Sequence, residues 1–301
     1  MTIHRRRGPR VRTPLGGALM TAAAVMLTSA CGASTGPALS QQASTAAAST
    51  AQSQVTPADP PATSPSPTPS PTLSTAPARS AATMPLAGKI VGIDPGHNGH
   101  NYTDPAYLTR QIWNGRASED CDTTGTETNS GYTEALFNFR VATFLRADLI
   151  RDGAKVVMTR TTNSGVGPCV TTRSTIINHR HANVAVDIHA DGGPASGRGF
   201  AILEPVADGP NDKVITSSGH LGSDVRRALL SGTSMPESTY DGVNGITHRS
   251  DLAGLNLTTV PKVLIECGNM RNATDAARLT STHFQKQIAK ALEAAIIRFL
   301  S

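Results

Sequence analysis

The run Lys89-Ile90-Val91-Gly92-Ile93-Asp94-Pro95-Gly96-His97 constrains the fold more than any other stretch. Ile90, Val91 and Ile93 are β-branched and nearly contiguous, which suits a strand buried in a parallel sheet. Pro95-Gly96 then ends the strand, because Pro lacks an N–H and Gly accepts unusual backbone angles. His97 is thereby presented at the carboxyl end of a core strand, the edge where open α/β sheets carry their sites. What that histidine can do depends on what later strands bring to the same edge.

Further strands are expected over 154–161, 184–189, 199–206 and 261–267, from short runs such as Val184-Ala185-Val186 and Val263-Leu264-Ile265. Helices are expected over 133–152, 171–181, 217–231 and 273–300. In the first, Leu136, Phe139, Val141, Phe144, Leu145, Leu149 and Ile150 recur at helical spacing. In the last, Phe284, Ile288, Leu292, Ile296 and Phe299 do the same. Residues 98–131 are rich in Asn, Gly, Thr and Asp and read as a long surface excursion with room for a short hairpin. Residues 250–259 read as a loop with at most a short strand. The β-α-β-α-β order predicts one α/β domain, its mostly parallel twisted sheet flanked by helices on both faces.

Three of these strands end in His97, His189 and Glu266, and Glu134 opens the first helix. Parallel strands put their carboxyl ends on one edge, so the four side chains can converge. Two histidines and one carboxylate with an open fourth position commonly hold catalytic zinc. Zinc lowers the pKa of water, so that hydroxide exists near neutral pH. A remaining carboxylate can then take and return protons. Each residue alone has an ordinary role. A strand-end histidine is usually a turn or capping residue, and Glu134 suits a helix N-terminus. Glu266 is odder, since it follows Val263-Leu264-Ile265, where a buried carboxylate is costly without a partner. His100, His179, His181, His220, His248 and His283 fall in loops or on helix faces and read as solvated. Of these, His100 and His248 are the two a substrate could approach.

The basic balance of the chain belongs to its beginning. Of 27 basic and 22 acidic residues, residues 1–85 hold six Arg and only Asp59, which leaves 21 of each in 86–301. A neutral domain gives no footprint for nucleic acid. Arg5, Arg6, Arg7, Arg10 and Arg12 precede a short apolar run over 18–30, the pattern of an export signal spanning 1–31. That run is too short to make a convincing membrane span. Leu27-Thr28-Ser29-Ala30-Cys31 resembles a bacterial lipobox, with Leu four residues before the cysteine rather than three. The readings are lipidation at Cys31, plain cleavage nearby and, as the bland alternative, a cytosolic basic tail. Residues 32–85 are Ala, Ser, Thr, Pro and Gln, with Pro-Ser-Pro-Thr repeated over 65–72. Such a segment lacks apolar mass and reads as a disordered tether to the domain at 86–301. In an exported protein two of Cys121, Cys169 and Cys267 are expected to pair. Cys267 lies in an apolar strand, and the other two lie in polar loops, so a Cys121–Cys169 bridge is expected. Free thiols or a thiolate metal site are the alternatives, and the short paired spacing of metal thiolates is missing.

The domain resembles the zinc-dependent N-acetylmuramoyl-L-alanine amidases of the Amidase_3 family over residues 89–300. The resemblance rests on Ile93-Asp94-Pro95-Gly96-His97, Glu134 opening a helix, Thr159-Arg160, Arg173 with Ala182-Asn183, Asp187-Ile188-His189-Ala190-Asp191, and the run from Pro261 through Glu266-Cys267-Gly268-Asn269-Met270. It implies one zinc ion held by His97, Glu134 and His189, with Glu266 as catalytic base. It also implies hydrolysis of the amide between the lactyl group of N-acetylmuramic acid and L-alanine of the peptidoglycan stem. The chain departs from the family pattern at Asp187, usually Ser, at Asp191, usually Asn, and in the longer link from His97 to Glu134. The expectation is an exported, monomeric cell-envelope amidase, anchored by lipid if Cys31 is modified. The alternatives are a zinc peptidase acting within the stem peptide and a non-catalytic cell-wall-binding module.

Overall fold

A computed structural model of the chain describes residues 84–301. The expected export signal, the Cys31 lipobox and all but the last two residues of the expected tether lie outside the described residues. The elements run β1 (Ile90–Pro95), α1 (Pro105–Leu108), β2 (Gln111–Trp113), β3 (Ser118–Asp120), α2 (Glu134–Arg151), β4 (Lys155–Met158), α3 (Val170–His179) and β5 (Val184–Asp191). There follow β6 (Ala201–Pro205), α4 (Ile215–Gly232), β7 (Ile246–Arg249), α5 (Ala253–Asn256), β8 (Lys262–Asn269), α6 (Ala273–Leu279) and α7 (Thr282–Leu300).

Six strands form one sheet in the order β4-β1-β5-β8-β6-β7. The first four are mutually parallel, β6 is antiparallel to β8, and β7 is parallel to β6. The mostly parallel α/β sheet with helices on both faces is therefore the observed fold. Successive side chains of a strand alternate between faces. Val91, Ile93, Val184, Val186, Ile188, Val263 and Ile265 point to one face and share a core with α2, α4 and α7. The other face has two small apolar clusters, around Ile177 and Ala185 and around Leu203 and Leu264.

Residues 98–131 hold the expected hairpin, β2 paired with β3. They are more than a surface excursion, since Asn101, Leu108, Asn114, Cys121 and Asp122 are buried. Three local expectations change. The buried stripe of α2 runs through Ala135, Phe137 and Asn138, while Leu136 is only half-buried and Ile150 is 44% exposed. The helix is thus turned to bury Glu134 at its start. Residues 253–256 form a short helix, and the strand lies just before it as β7. The expected helix over 273–300 is two helices. Thr280 Oγ1 donates back to Ala276 O at 2.9 Å, and Ser281 N–H donates to Arg278 O at 2.9 Å, a local turn that competes with helix propagation. Cys121 and Cys169 are free thiols, both buried, and close enough for a side-chain hydrogen bond between them.

Candidate metal centre and active site

The carboxyl ends of β1, β5 and β8 do converge. His97 follows β1 with a left-handed φ of 56°. The sequence suggested that Gly96 would absorb the unusual backbone angle; instead His97 does, and Gly96 is needed for space. A Cβ at Gly96 would stand 2.1 Å from His189 Cε1. The turn is held by two guanidinium groups. Arg160 Nε donates to Pro95 O at 2.8 Å and its Nη2 to Gly96 O at 3.1 Å. Arg173 Nη1 donates to Pro95 O at 2.7 Å and its Nη2 to His97 O at 2.8 Å. Backbone acceptors that would otherwise be left unpaired at the strand end are thus satisfied.

Glu134 sits between the two histidines. His97 Nε2 is 3.3 Å from Glu134 Oε2, and His189 Nδ1 is 2.8 Å from Glu134 Oε1. The imidazole rings stand edge to face with centroids 4.9 Å apart. The three residues offer donor atoms all within 4.8 Å of one another, a set that can hold a metal ion. Main-chain N–H groups of Thr126 and Ala190 also donate to the Glu134 carboxylate, at 2.9 and 3.3 Å.

Burial disfavours charge on all three residues, but their mutual attraction outweighs it. The Glu134 carboxyl is held well below its usual range by His97 and His189. Glu134 and Asp122 draw His97 up to about 9, and Asp187 and Glu134 raise His189. The field at this point favours positive charge, which is the electrostatic signature a dication needs.

Glu266 is the register partner of His189 on the neighbouring strand. Its Oε2 is buried without a hydrogen-bond partner among the described residues. Burial pushes its carboxyl up to about 8, with His189 opposing and Glu134 reinforcing the shift. A cleft of about 560 Å³ opens over His97, Glu134, His189 and Glu266, with Asp191 and Arg249 on its walls. Between His189 and Asp191 the pairing slips by one residue, because β8 carries an extra residue between Glu266 and Asn269. Tyr240 O–H donates to Asp191 Oδ2 at 2.7 Å and steadies that wall.

All four residues singled out in the sequence therefore lie in one cleft. His100, His179, His181, His220, His248 and His283 are exposed, and none lines it. His248 instead faces Glu204 at 3.4 Å. Sequence reasoning missed Asp122, Lys262 and Tyr240 as neighbours of the site. The signal for Lys262 was present: it shares the period-2 parity of Glu266 on β8. Asp122 and Tyr240 lie in loops, and nothing local marks them.

A mostly parallel α/β sheet that gathers a His–Glu–His donor set able to hold a metal ion and an unpartnered carboxylate in one cleft has the parts a hydrolase needs. Comparison with known proteins gives the family. The family described as N-acetylmuramoyl-L-alanine amidase matches residues 91–298. The chain is 38% identical over 229 residues to N-acetylmuramoyl-L-alanine amidase Rv3717 of Mycobacterium tuberculosis, covering 74% of this chain and 90% of that protein. It is also similar to crystal structures of the amidase Ami1. For the Mycobacterium smegmatis protein the identity is 38% and the TM-score 0.67, over 71% of this chain and 98% of that one. For the apo form from Mycobacterium abscessus the identity is 38% and the TM-score 0.68, over 72% and 100%. The chain belongs to the N-acetylmuramoyl-L-alanine amidase family, and it is a peptidoglycan hydrolase.

Proposed function

We propose that the amidase works with one zinc ion held by His97, Glu134 and His189, and that Glu266 carries the proton. The observation behind this reading is the unpartnered Glu266 oxygen, buried beside a donor set that spans less than 4.8 Å. The donor chemistry, two imidazoles and one carboxylate, suits zinc. When bound, zinc supplies a Lewis acid that polarises the scissile carbonyl and acidifies water.

The protein's own residues do the rest. Glu266 accepts a proton from the attacking water as it adds to the lactyl carbonyl of N-acetylmuramic acid. It then delivers that proton to the L-alanine nitrogen as the C–N bond breaks. A carboxyl without competing hydrogen bonds is free to do both. Glu134, gripped by two main-chain N–H groups, is fixed as a ligand instead.

The leader at 1–31 fits export, with lipidation at Cys31 as the anchor and residues 32–85 as the tether that lets the domain reach the wall. Among the described residues no helix is long and apolar enough to cross a membrane. In an oxidising envelope Cys121 and Cys169, already adjacent, close into a disulfide. The enzyme acts as a monomer and takes no nucleic acid.

Metal analysis and turnover of two variants test this reading. His189→Ala should lose the zinc; an unchanged zinc content would remove His189 from the ligand set. Glu266→Ala should keep zinc and fold while turnover falls about 10²- to 10⁴-fold. Parental turnover in that variant would end the assignment of Glu266.

A further inference from the structure

Behind the donor set runs a chain of five buried ionic side chains that alternate in sign. Asp122 Oδ2 is 3.3 Å from Arg173 Nη2, and Arg173 Nη1 is 3.1 Å from Asp94 Oδ1. Asp94 Oδ2 is 2.7 Å from Lys262 Nζ, which is 3.0 Å from Asp187 Oδ2. None of the five is more than 5% exposed. The chain spends one oxygen of each terminal carboxylate on its own cations. The other oxygen faces a histidine: Asp122 Oδ1 is hydrogen-bonded to His97 Nδ1 at 3.2 Å, and Asp187 Oδ1 lies 3.3 Å from His189 Nε2, buried and with no hydrogen-bond partner among the described residues. In each ring the remaining nitrogen is the one that faces Glu134.

Stability alone does not explain this arrangement. Taking five charges out of water costs several kcal/mol per ion, and apolar side chains of similar volume often do as well or better. The geometry explains it. With a cation held beside Glu134, each ring must turn a lone pair to it, so its one proton stands on the nitrogen that faces the aspartate, which as a carboxylate can only accept. The lone pair is then left on the nitrogen that faces Glu134. The required tautomers are opposite, Nδ1–H for His97 and Nε2–H for His189.

We infer that Asp122 and Asp187 are positioning residues that fix opposite tautomers of the two histidines, and that Arg173, Asp94 and Lys262 join them into one rigid buried unit. This rests on the zinc reading given above. With the ion bound, both lone pairs are then aimed at the same point beside Glu134, and the aspartates hold the rings in that orientation. Outer partners of this kind orient a ligand ring, and their loss typically weakens metal binding without touching the metal.

The test uses the full chain, labelled with ¹⁵N-histidine and loaded with zinc, read by long-range ¹H–¹⁵N NMR and by competition with a chromophoric chelator. The parent should show His97 as the Nδ1–H form and His189 as the Nε2–H form. Both rings in the same tautomer would overturn the inference without any variant being made. Asp187→Asn should move the His189 resonances, leave those of His97 in place, and weaken zinc binding about 10- to 100-fold. Asp122→Asn should do the reverse at His97, and it carries the test if Asp187→Asn does not fold. A lowered melting temperature with both sets of resonances and the zinc affinity unchanged would reduce the chain to a structural element and overturn the inference. Tight zinc binding by the parent with no change in either variant would defeat this inference alone. A parent that binds no zinc would defeat the metal reading and the inference with it.

Discussion

On one face of the sheet Val184, Val186, Ile188, Val263 and Ile265 pack beneath α2, α4 and α7. On the other, Asp94, Asp187, His189, Lys262 and Glu266 stand on the same strands, one residue out of phase. The two faces are read from the same backbone, and they divide the work. The apolar face removes large side chains from water and stabilises the domain. The polar face is thinly packed, and α5 covers it closely: a Cβ at Gly254 would lie 3.3 Å from Asp187 Oδ2. Glu266 apart, its charges are tolerated because each is paired with another. Burial on the first face is about stability; burial on the second is about where charge and protons sit.

That division can be broken from either side. Lys262→Met should be the most damaging change, because it leaves Asp94 and Asp187 facing each other without their shared cation. A loss of about 3–5 kcal/mol is expected, and denaturant unfolding would read it. Zinc affinity should fall together with stability. Phe137→Ala on the apolar face, where Phe137 is fully buried, should cost about 3–5 kcal/mol through the cavity it leaves. The folded fraction should bind zinc as the parent does. If both variants changed zinc affinity alike, the faces would not be separable.

Redox comes next. If the envelope form carries the Cys121–Cys169 bridge, reduction or Cys121→Ser should lower stability by about 2–4 kcal/mol. Asp122 follows Cys121 directly, so the His97 side of the site should loosen before the apolar core does. An unchanged melting temperature after reduction would show that the bridge is not structural.

The smallest effect is one of pH. In the metal-free protein burial holds Glu266 near a pKa of about 8, above the ordinary carboxyl value of 4.5. The folded state therefore binds this proton more tightly than the unfolded chain, and the group lowers stability as pH rises from 4.5 to 8. Metal-free Glu266→Gln should match the parent near pH 4.5 and exceed it by about 1–2 kcal/mol above pH 8, allowing for partial solvation. Thermal unfolding across that range would show it. A constant gap would mean that Glu266 titrates normally.

The sequence disclosed the apolar face more readily than the polar one. Runs such as Ile90-Val91 and Val263-Leu264-Ile265 announce buried strands because β-branched side chains suit a sheet covered on both sides. His97, Glu134, His189 and Glu266 were legible because strand ends in a parallel sheet share an edge. The neighbour each strand takes was not legible. β6 runs against β8, and β7 lies beyond it, which only tertiary packing decides. Phe137 rather than Leu136 faces the core because α2 must also bury Glu134 at its first residue, a demand that hydrophobic spacing does not carry. The charged face was hidden in plain view: Asp94, Asp187 and Lys262 interrupt apolar runs at alternate positions, but which cation meets which carboxylate depends on strand order. Asp122 reaches His97 across 25 residues from a loop without periodicity.

The most direct test is the identity of the products. Zinc-loaded full-length protein and its Glu266→Ala variant would each be incubated with a muramyl-pentapeptide and the products weighed by mass spectrometry. The account predicts that the parent frees the whole stem peptide, with L-alanine at its new amino end and muramic acid intact, and that the variant leaves the substrate whole. Shortened peptide still joined to the sugar, or equal release by the variant, would contradict it.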